Sequence, residues 1–295
     1  MNIFKKKKLL VTHNGTYHAD DVFSTATLSI LLNDNVKVVR TRDEKFFAEG
    51  DYVYDVGGIH DENTNRFDHH QEGGAGKRAN GVPYAAFGLV WKKYGKDVCG
   101  SQEAADIIEV KLVQPVDADD NGVDIFKLNG EASLYLIQSM FYSLRPTWKE
   151  AQDYDTPFFK CVEIAKNIIR REIVRATDAM EAKSIVTSAY DNSADKRAIV
   201  LNSQYPWKET IDSYKEPLYI ISPKDGKWRA ECVRKEKYSY ENRKPFPEAW
   251  AGKRDQALEE VSGVKGASFC HNGRFLVVAN SKEAILELVD KALKN

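Results

Sequence analysis

The residues best suited to chemistry stand together at Asp68-His69-His70-Gln71. Three consecutive side chains there can hold or polarise a cation. Imidazole suits transition metals and carboxylate suits harder ions, so the mixture points to manganese or a similar divalent ion. Side chains alternate in extended backbone, so Asp68 and His70 are expected to face one way and His69 the other. One histidine can then enter a metal site while its neighbour meets substrate. A polar, solvated turn would account for a single His-His pair. Yet five of the six histidines fall within the first seventy residues, close to Asp20, Asp21 and Asp55, and packing does not explain that clustering.

These residues need a frame. Lys8 to Thr12 (KLLVT) reads as a short buried strand running into His13-Asn14-Gly15-Thr16, which is turn chemistry. His18-Ala19-Asp20-Asp21 opens an apolar helical run through Leu32, with carboxylates in the first turn where the helix dipole favours them. Helix capping alone would account for Asp20 and Asp21, but not for His13 and His18 flanking the same turn. Val36 to Thr41 and Tyr52 to Val56 read as two further strands. The second closes on Asp55 and then Gly57-Gly58, where backbone and ligand can approach closely. Strands separated by helices imply a parallel sheet with its site outside the carboxyl ends. His13, His18, Asp20, Asp55 and His69 all fall at that edge.

Gly73-Gly74-Ala75-Gly76-Lys77-Arg78 lacks a phosphate-loop pattern and reads as a mobile surface loop, with a phosphate-touching lid as the minority reading. Val82 to Tyr94 and Gln102 to Val113 are expected helices, and Pro115 to Gly122 an acidic turn with one metal-directed aspartate. Its spacing is not that of an EF-hand. Glu131 to Leu144 reads as an aromatic-rich helix, and Thr156 to about Tyr190 as a long helix connecting two domains. Short strands follow, and Ser281 is expected to cap a final helix with Ala284, Ile285, Leu288, Val289 and Ala292 as its apolar stripe. The expected organisation is an α/β catalytic domain over residues 1–192, with a parallel sheet covered by helices on both faces. A smaller α+β substrate-binding domain is expected over residues 193–295.

A chain of 295 residues with 42% apolar and 29% charged residues is ordinary for a soluble protein. Neither a membrane-length apolar run nor a signal-peptide core follows the basic start, so a cytoplasmic location is expected. Cys99, Cys161, Cys232 and Cys270 are scattered and read as reduced thiols. Residues 1–140 carry 16 Lys+Arg against 21 Asp+Glu, a balance of −5; residues 141–295 carry 27 against 23, a balance of +4. The acidic half suits cations and the mildly basic half a phosphate-bearing substrate, although random drift in surface charge accounts for the difference about as well.

Taken together, THNGTYHADDVFS, RTRD, DYVYDVGG, RFDHHQ and VDADDNG, in this order, resemble the Myg family of the DHH phosphoesterase superfamily. The likeness covers roughly the first 145 residues strongly and continues more loosely through WRAECV, FPEAWAGKRD and ASFCHNGRF. It implies a DHH-type catalytic domain and a two-metal phosphodiesterase acting as a 3′-to-5′ exonuclease on RNA. By the same resemblance His13, His18 and Asp20 would be metal ligands, Asp55 would bridge two ions and His69 would bind the second. Asp117 or Asp120 would complete the second site, with Asp117 placed first. His70 would face the phosphate, and Asp21 joins it as a catalytic candidate. The cofactor expected is a pair of divalent cations, manganese with magnesium as alternative. The expected partner is single-stranded RNA or a short oligonucleotide, with a homodimer possible.

Arg229, Arg254 and His271 are candidates for holding phosphate or a terminal nucleotide, because guanidinium matches phosphate geometry. The two arginines read equally well as surface charges. Residues 193–295 are expected to face the metal centre across a cleft. Two rival functions stand beside the nuclease: a pyrophosphatase or small-nucleotide phosphatase on the same site, and a non-catalytic nucleic-acid-binding protein with a vestigial site. A peptide-cleaving zinc enzyme is disfavoured by the absence of H-E-x-x-H.

Overall fold

The computed structural model describes residues 6–127 and 130–295; the first five residues of the basic start and residues 128–129 lie outside it. Two compact units divide the chain, Met1–Ala176 and Thr177–Asn295.

The first unit is built on a five-stranded sheet in the order β2-β1-β3-β5-β4. Its strands are β1 (Lys8–Thr12), β2 (Val36–Arg40), β3 (Tyr52–Tyr54), β4 (His60–Asp61) and β5 (Arg66–Phe67). All pair in parallel except β4, which closes the edge antiparallel to β5. Strand alternation sends Leu10, Tyr52 and Tyr54 to one face, where they pack with Leu28 of α1 (Ala19–Leu31). Ala86, Leu89 and Val90 of α3 (Ala86–Cys99) complete that layer. Val11 and Val53 take the other face, against Phe46 and Phe47 of α2 (Lys45–Glu49). This is the expected α/β arrangement, with helices on both faces.

Several local expectations shift. The acidic stretch at Pro115 to Gly122 is not a turn that interrupts the helices. After α4 (Gln102–Ile108), a wider π-helical turn over Glu109–Val113 leads into α5 (Gln114–Asp120). Pro115 stands in the first turn of α5, where a missing N–H costs little. The expected helix over 131–144 shrinks to α6 (Ile137–Tyr142). Leu134 and Tyr135 before it are exposed, so no apolar face is available to fix a longer helix.

The long helix forms as one 37-residue segment, α7 (Asp155–Asp191). The division between compact units falls inside it, ahead of the 192/193 boundary expected from composition. In the second unit, its residues Val186 and Tyr190 share a core with Ile199, Leu201, Ile220 and Trp207. That unit contains β6 (Ala198–Val200), α8 (Lys208–Ile211), β7 (Tyr219–Lys224), β8 (Lys227–Cys232), α9 (Asp255–Ser262), β9 (Ala267–Cys270), β10 (Leu276–Ala279) and α10 (Lys282–Lys294). Its sheet runs β6-β7-β8-β10-β9 and is antiparallel apart from the β6–β7 pair. Ser281 caps α10 by accepting from the Ala284 N–H at 3.2 Å, and the five-residue apolar stripe of that helix is buried. No helix among the described residues is long and apolar enough to cross a membrane.

Candidate metal centre

Strand β1 sits inside the sheet, with β2 on one side and β3 on the other, so the chain leaves β1 one way and returns the other. Ligand sites in open α/β sheets form at such a switch point, outside the carboxyl ends of the strands. His13 follows β1, Asp55 follows β3, and Asp68-His69-His70 follows β5. Asp20 and Asp21 arrive from the first turn of α1 and Asp120 from the end of α5. Asp55 takes a left-handed backbone, φ 55°, which aspartate tolerates better than most residues.

The side chains converge. His13 Nε2 lies 3.0 Å from Asp55 Oδ2 and 3.3 Å from Asp21 Oδ2. His69 Nε2 lies 3.4 Å from Asp55 Oδ1, 3.2 Å from Asp120 Oδ2 and 3.8 Å from Asp20 Oδ2. Four groups bring their ligand atoms within 4.8 Å of one another: His13, His18 and Asp55; Asp55, His69 and His70; Asp20, Asp21 and Asp55; His18, Asp20 and Asp120. Asp55 belongs to three of these groups, which places it where a shared carboxylate would stand.

The Asp-His-His segment departs from simple alternation. Strand β5 ends at Phe67, so residues 68–70 are not extended strand. His69 and His70 both turn toward Asp55 Oδ1, with ring centroids 4.3 Å apart. Asp68 is a positioning residue. Its Oδ1 lies 2.8 Å from His70 Nδ1 and accepts the His69 N–H at 2.8 Å, while Oδ2 accepts the Gly58 N–H at 2.5 Å. His70 stays largely open to solvent.

Asp117, placed first for the second site, belongs to none of the four ligand-atom groups. It is fully buried, accepts the Gly88 N–H at 2.9 Å through Oδ1, and pairs with Arg78 Nη2 at 2.8 Å through Oδ2. Asp120, the alternative, belongs to one of the four groups, with His18 and Asp20. Arg78 is correspondingly no phosphate hand on a mobile loop: it is buried between Glu109 and Asp117 and stacked over Tyr84.

Burial and the crowding of like charges shift several groups of the cluster. Burial, then the charges of Asp55 and Asp120, raises Asp20 well above the usual carboxylate range. Burial raises Asp21 to about 7 and Asp120 to about 6. Asp55 goes the other way: burial would raise it, but contacts with His13 and His69 hold it low. His13 and His69 are raised despite burial, chiefly by Asp55. Burial lowers His18 to about 4. Asp20 Oδ1 is buried without a hydrogen-bond partner, while Asp21 Oδ2, Asp55 Oδ2 and His69 Nε2 are buried with only the mutual ion-pair contacts given above. Each such atom costs about 1–3 kcal/mol if left unsatisfied. Mixed carboxylate and imidazole donors, buried and gathered about one space, fit divalent cations.

Sequence comparison fixes the lineage. The MYG1_exonuc model, described as uncharacterised protein family UPF0160, matches residues 9–293. The chain belongs to the Myg family. Among curated relatives, the mouse protein named MYG1 exonuclease is 29% identical over 96% of this chain and 84% of its own length. A fission yeast MYG1 protein is 27% identical over 96% of this chain and 97% of its own. Among solved structures, RecJ of Thermus thermophilus in complex with Mg²⁺ aligns over 98% of this chain and 49% of its own, at 11% identity and a TM-score of 0.29.

The candidates in the second unit are differently placed. Arg229 Nη2 is paired with Glu231 at 2.9 Å, which offsets its charge. Arg254 precedes α9 and stacks over Phe269, its guanidinium carbon 4.4 Å from the ring centroid. His271 Nδ1 accepts the Gly273 N–H at 2.9 Å.

Proposed function

We propose that this Myg family member is a divalent-metal-dependent phosphodiesterase, a 3′-to-5′ exonuclease that degrades single-stranded RNA. The carrying observation is the convergence of buried carboxylate and imidazole atoms on Asp55 at the sheet's switch point. Relatives named exonuclease support the reaction class.

His13, His18, Asp20, Asp21, Asp55, His69 and Asp120 would hold two cations, with Asp55 shared. Bound cations supply a lowered water pKa and neutralisation of charge developing at phosphorus. The chain supplies the rest. Asp68 fixes the ring of His70 through Nδ1, leaving Nε2 for a phosphate oxygen or a leaving-group oxygen. The Asp68 contact is also the main reason His70 is raised, which favours the protonated, donating form. Asp21 joins the ligand set: one oxygen accepts the His18 N–H at 2.9 Å and the other faces His13. Arg254 and His271 are the phosphate contacts proposed from the second unit, and Arg229 ranks below them because of Glu231.

The test is to strip metal from the full chain and incubate it with labelled single-stranded RNA, single-stranded DNA and pyrophosphate, each with manganese, magnesium or zinc. Stepwise release of mononucleotides from the 3′ end of RNA, strongest with manganese, is expected. Hydrolysis of pyrophosphate alone would transfer the site to the phosphatase reading. Manganese binding without hydrolysis of any substrate would leave a binding protein.

A further inference from the structure

The segment after α6 carries a cation for which the metal ligands have no use. Arg145 has its Nε and Nη2 atoms buried, without a hydrogen-bond partner. Among the described residues, no carboxylate forms an ion pair with it. Its guanidinium carbon lies 3.4 Å from the Tyr142 ring centroid and 5.3 Å from that of Tyr17. Ring faces attract a cation, but they do not accept the planar N–H groups of the fork. A buried donor pair on a permanent charge is costly unless an anion meets it.

The position of Arg145 relates it to the metal centre. The Tyr142 ring that it covers stands 6.2 Å from the His18 ring, and His18 stands 5.7 Å from His13, centroid to centroid. Gln138 on α6 pins this arrangement to α1: its Oε1 accepts the Ala19 N–H, and its Nε2 donates to Tyr142 Oη at 2.5 Å. The Tyr17 hydroxyl donates to the Phe141 carbonyl at 3.3 Å. Tyr142 and its partners thus hold the guanidinium beside the ligand cluster rather than letting it range through solvent.

The other strong cations of this region are already engaged. Arg40 pairs with Asp155 at 2.6 Å and donates to the Gly15 carbonyl at 2.8 Å. Arg78 is locked between Glu109 and Asp117. Among the described residues, Arg145 alone of these three has no acidic partner.

We infer that Arg145 binds a phosphate group of the substrate at the edge of the metal centre, its guanidinium, which no acidic side chain among the described residues neutralises, meeting the phosphate oxygens. This rests on the phosphodiesterase reading and adds a recognition residue to it. A planar guanidinium suits that task because its parallel donors match two oxygens of one tetrahedral anion, whereas an ammonium offers a single point of charge. The ligand class is a nucleotide 5′-phosphate, within a strand or as a released mononucleotide.

The test uses the manganese-loaded full chain and three substitutions. Arg145→Ala removes the whole group. Arg145→Met keeps an unbranched stem against Tyr142 without the charge. Arg145→Lys keeps the charge without the fork. Equilibrium binding of adenosine 5′-monophosphate is measured beside steady-state cleavage of a short single-stranded RNA and manganese affinity. Arg145→Ala and Arg145→Met are each expected to weaken mononucleotide binding and kcat/KM by about 100-fold, with Arg145→Lys between them and wild type. Manganese affinity should stay unchanged. The log–log salt slope for RNA binding should become shallower by about 0.7, the value of one lost phosphate contact. Wild-type mononucleotide affinity and salt slope in Arg145→Met would overturn the inference, whatever happens in Arg145→Ala. If wild type binds the mononucleotide through Arg145 but cleaves no RNA, the nuclease reading fails and Arg145 stands. If wild type cleaves RNA and Arg145→Met matches it throughout, the nuclease reading stands and Arg145 falls. A wild type that neither binds nor cleaves removes both.

Discussion

The aspartates of the cluster are not equivalent, and the difference can be measured without activity. Asp20 is buried among like charges with Oδ1 unpartnered, so its charged form is disfavoured in the folded state. Asp55 is held in its charged form by His13 and His69. Asp20→Asn should therefore raise the melting temperature of the metal-free protein, while Asp55→Asn should lower it. Each kcal/mol corresponds to about 2–4 °C for a chain of this order. Both variants should lose hydrolysis by about 10³-fold or more, since an amide cannot bridge or balance cations. Thermal scans of the two metal-free variants with opposite signs would support this ordering; a common sign would sink it.

Asp117 and Asp120 separate by the same logic. Asp117→Asn breaks a buried ion pair with Arg78 and should cost about 3–5 kcal/mol of stability. Manganese affinity should survive in the folded fraction. Asp120→Asn should spare stability and weaken manganese binding. Chemical denaturation and manganese titration on both variants test the exchange of roles. Comparable loss of manganese affinity from both substitutions would argue against it.

At the scale of elements, α5 delivers Asp120 because it is clamped to α3. The clamp passes through Gly88, whose N–H donates to Asp117 Oδ1. A methyl group at Gly88 would collide with Asp117 Oδ2 and with Arg78 Nη2. Gly88 has ordinary helical backbone, so the need for glycine is close approach and not a left-handed turn. Gly88→Ala should cost about 3 kcal/mol, the upper end of overpacking penalties. It should also lower manganese affinity, because α5 must shift. Gly95→Ala on the same helix meets only the Trp91 side chain. It is the control: some stability should be lost there while manganese binding stays intact. Equal effects of the two substitutions on manganese affinity would show that α5 is not positioned through Gly88.

For the whole molecule, the acidic centre makes metal-free stability depend on pH with a definite sign. Asp21 at about 7 and Asp120 at about 6 are raised above the ordinary carboxylate value. His13 and His69 are raised above the ordinary imidazole value. In both cases the folded state binds protons more tightly than the unfolded chain, so the stabilisation is lost as pH rises through the folded pKa values. Asp55 is lowered, and its contribution is complete well below neutral pH. His18, lowered to about 4, opposes this trend below the ordinary imidazole value, so metal-free protein should melt progressively lower from about pH 6.5 to about pH 8, a range that covers Asp21 at about 7. Bound cations replace the protons, so manganese-loaded protein should show a much smaller fall. Calorimetry with and without a chelator across that range checks both statements. A metal-free melting temperature that rises toward the alkaline end would contradict the charge balance described for the site.

Much of this architecture was legible because it is local. Alternation in Lys8 to Thr12, the apolar run after His18 and the capped stripe after Ser281 reflect short-range geometry that the residues carry with them. Family likeness and strand-end placement likewise brought His13, His18, Asp20, Asp55 and His69 to one edge before any coordinates. What tertiary structure decided was orientation. Asp117 and Asp120 are three residues apart on a helix, about 60° of rotation and about 4.5 Å of rise, so no local signal chooses between them. The difference follows from Arg78 and Gly88, which capture Asp117, while Asp120 is left facing His69. His69 and His70 share Asp55 because β5 ends one residue before Asp68, which sequence alternation alone does not reveal. Arg145 passes unnoticed in the sequence as one arginine before a proline. Its meaning arises only where Tyr142, fixed by Gln138, holds an unpaired guanidinium beside His18. Sequence determined which donors exist and on which elements they ride; long-range packing determined which of their atoms meet.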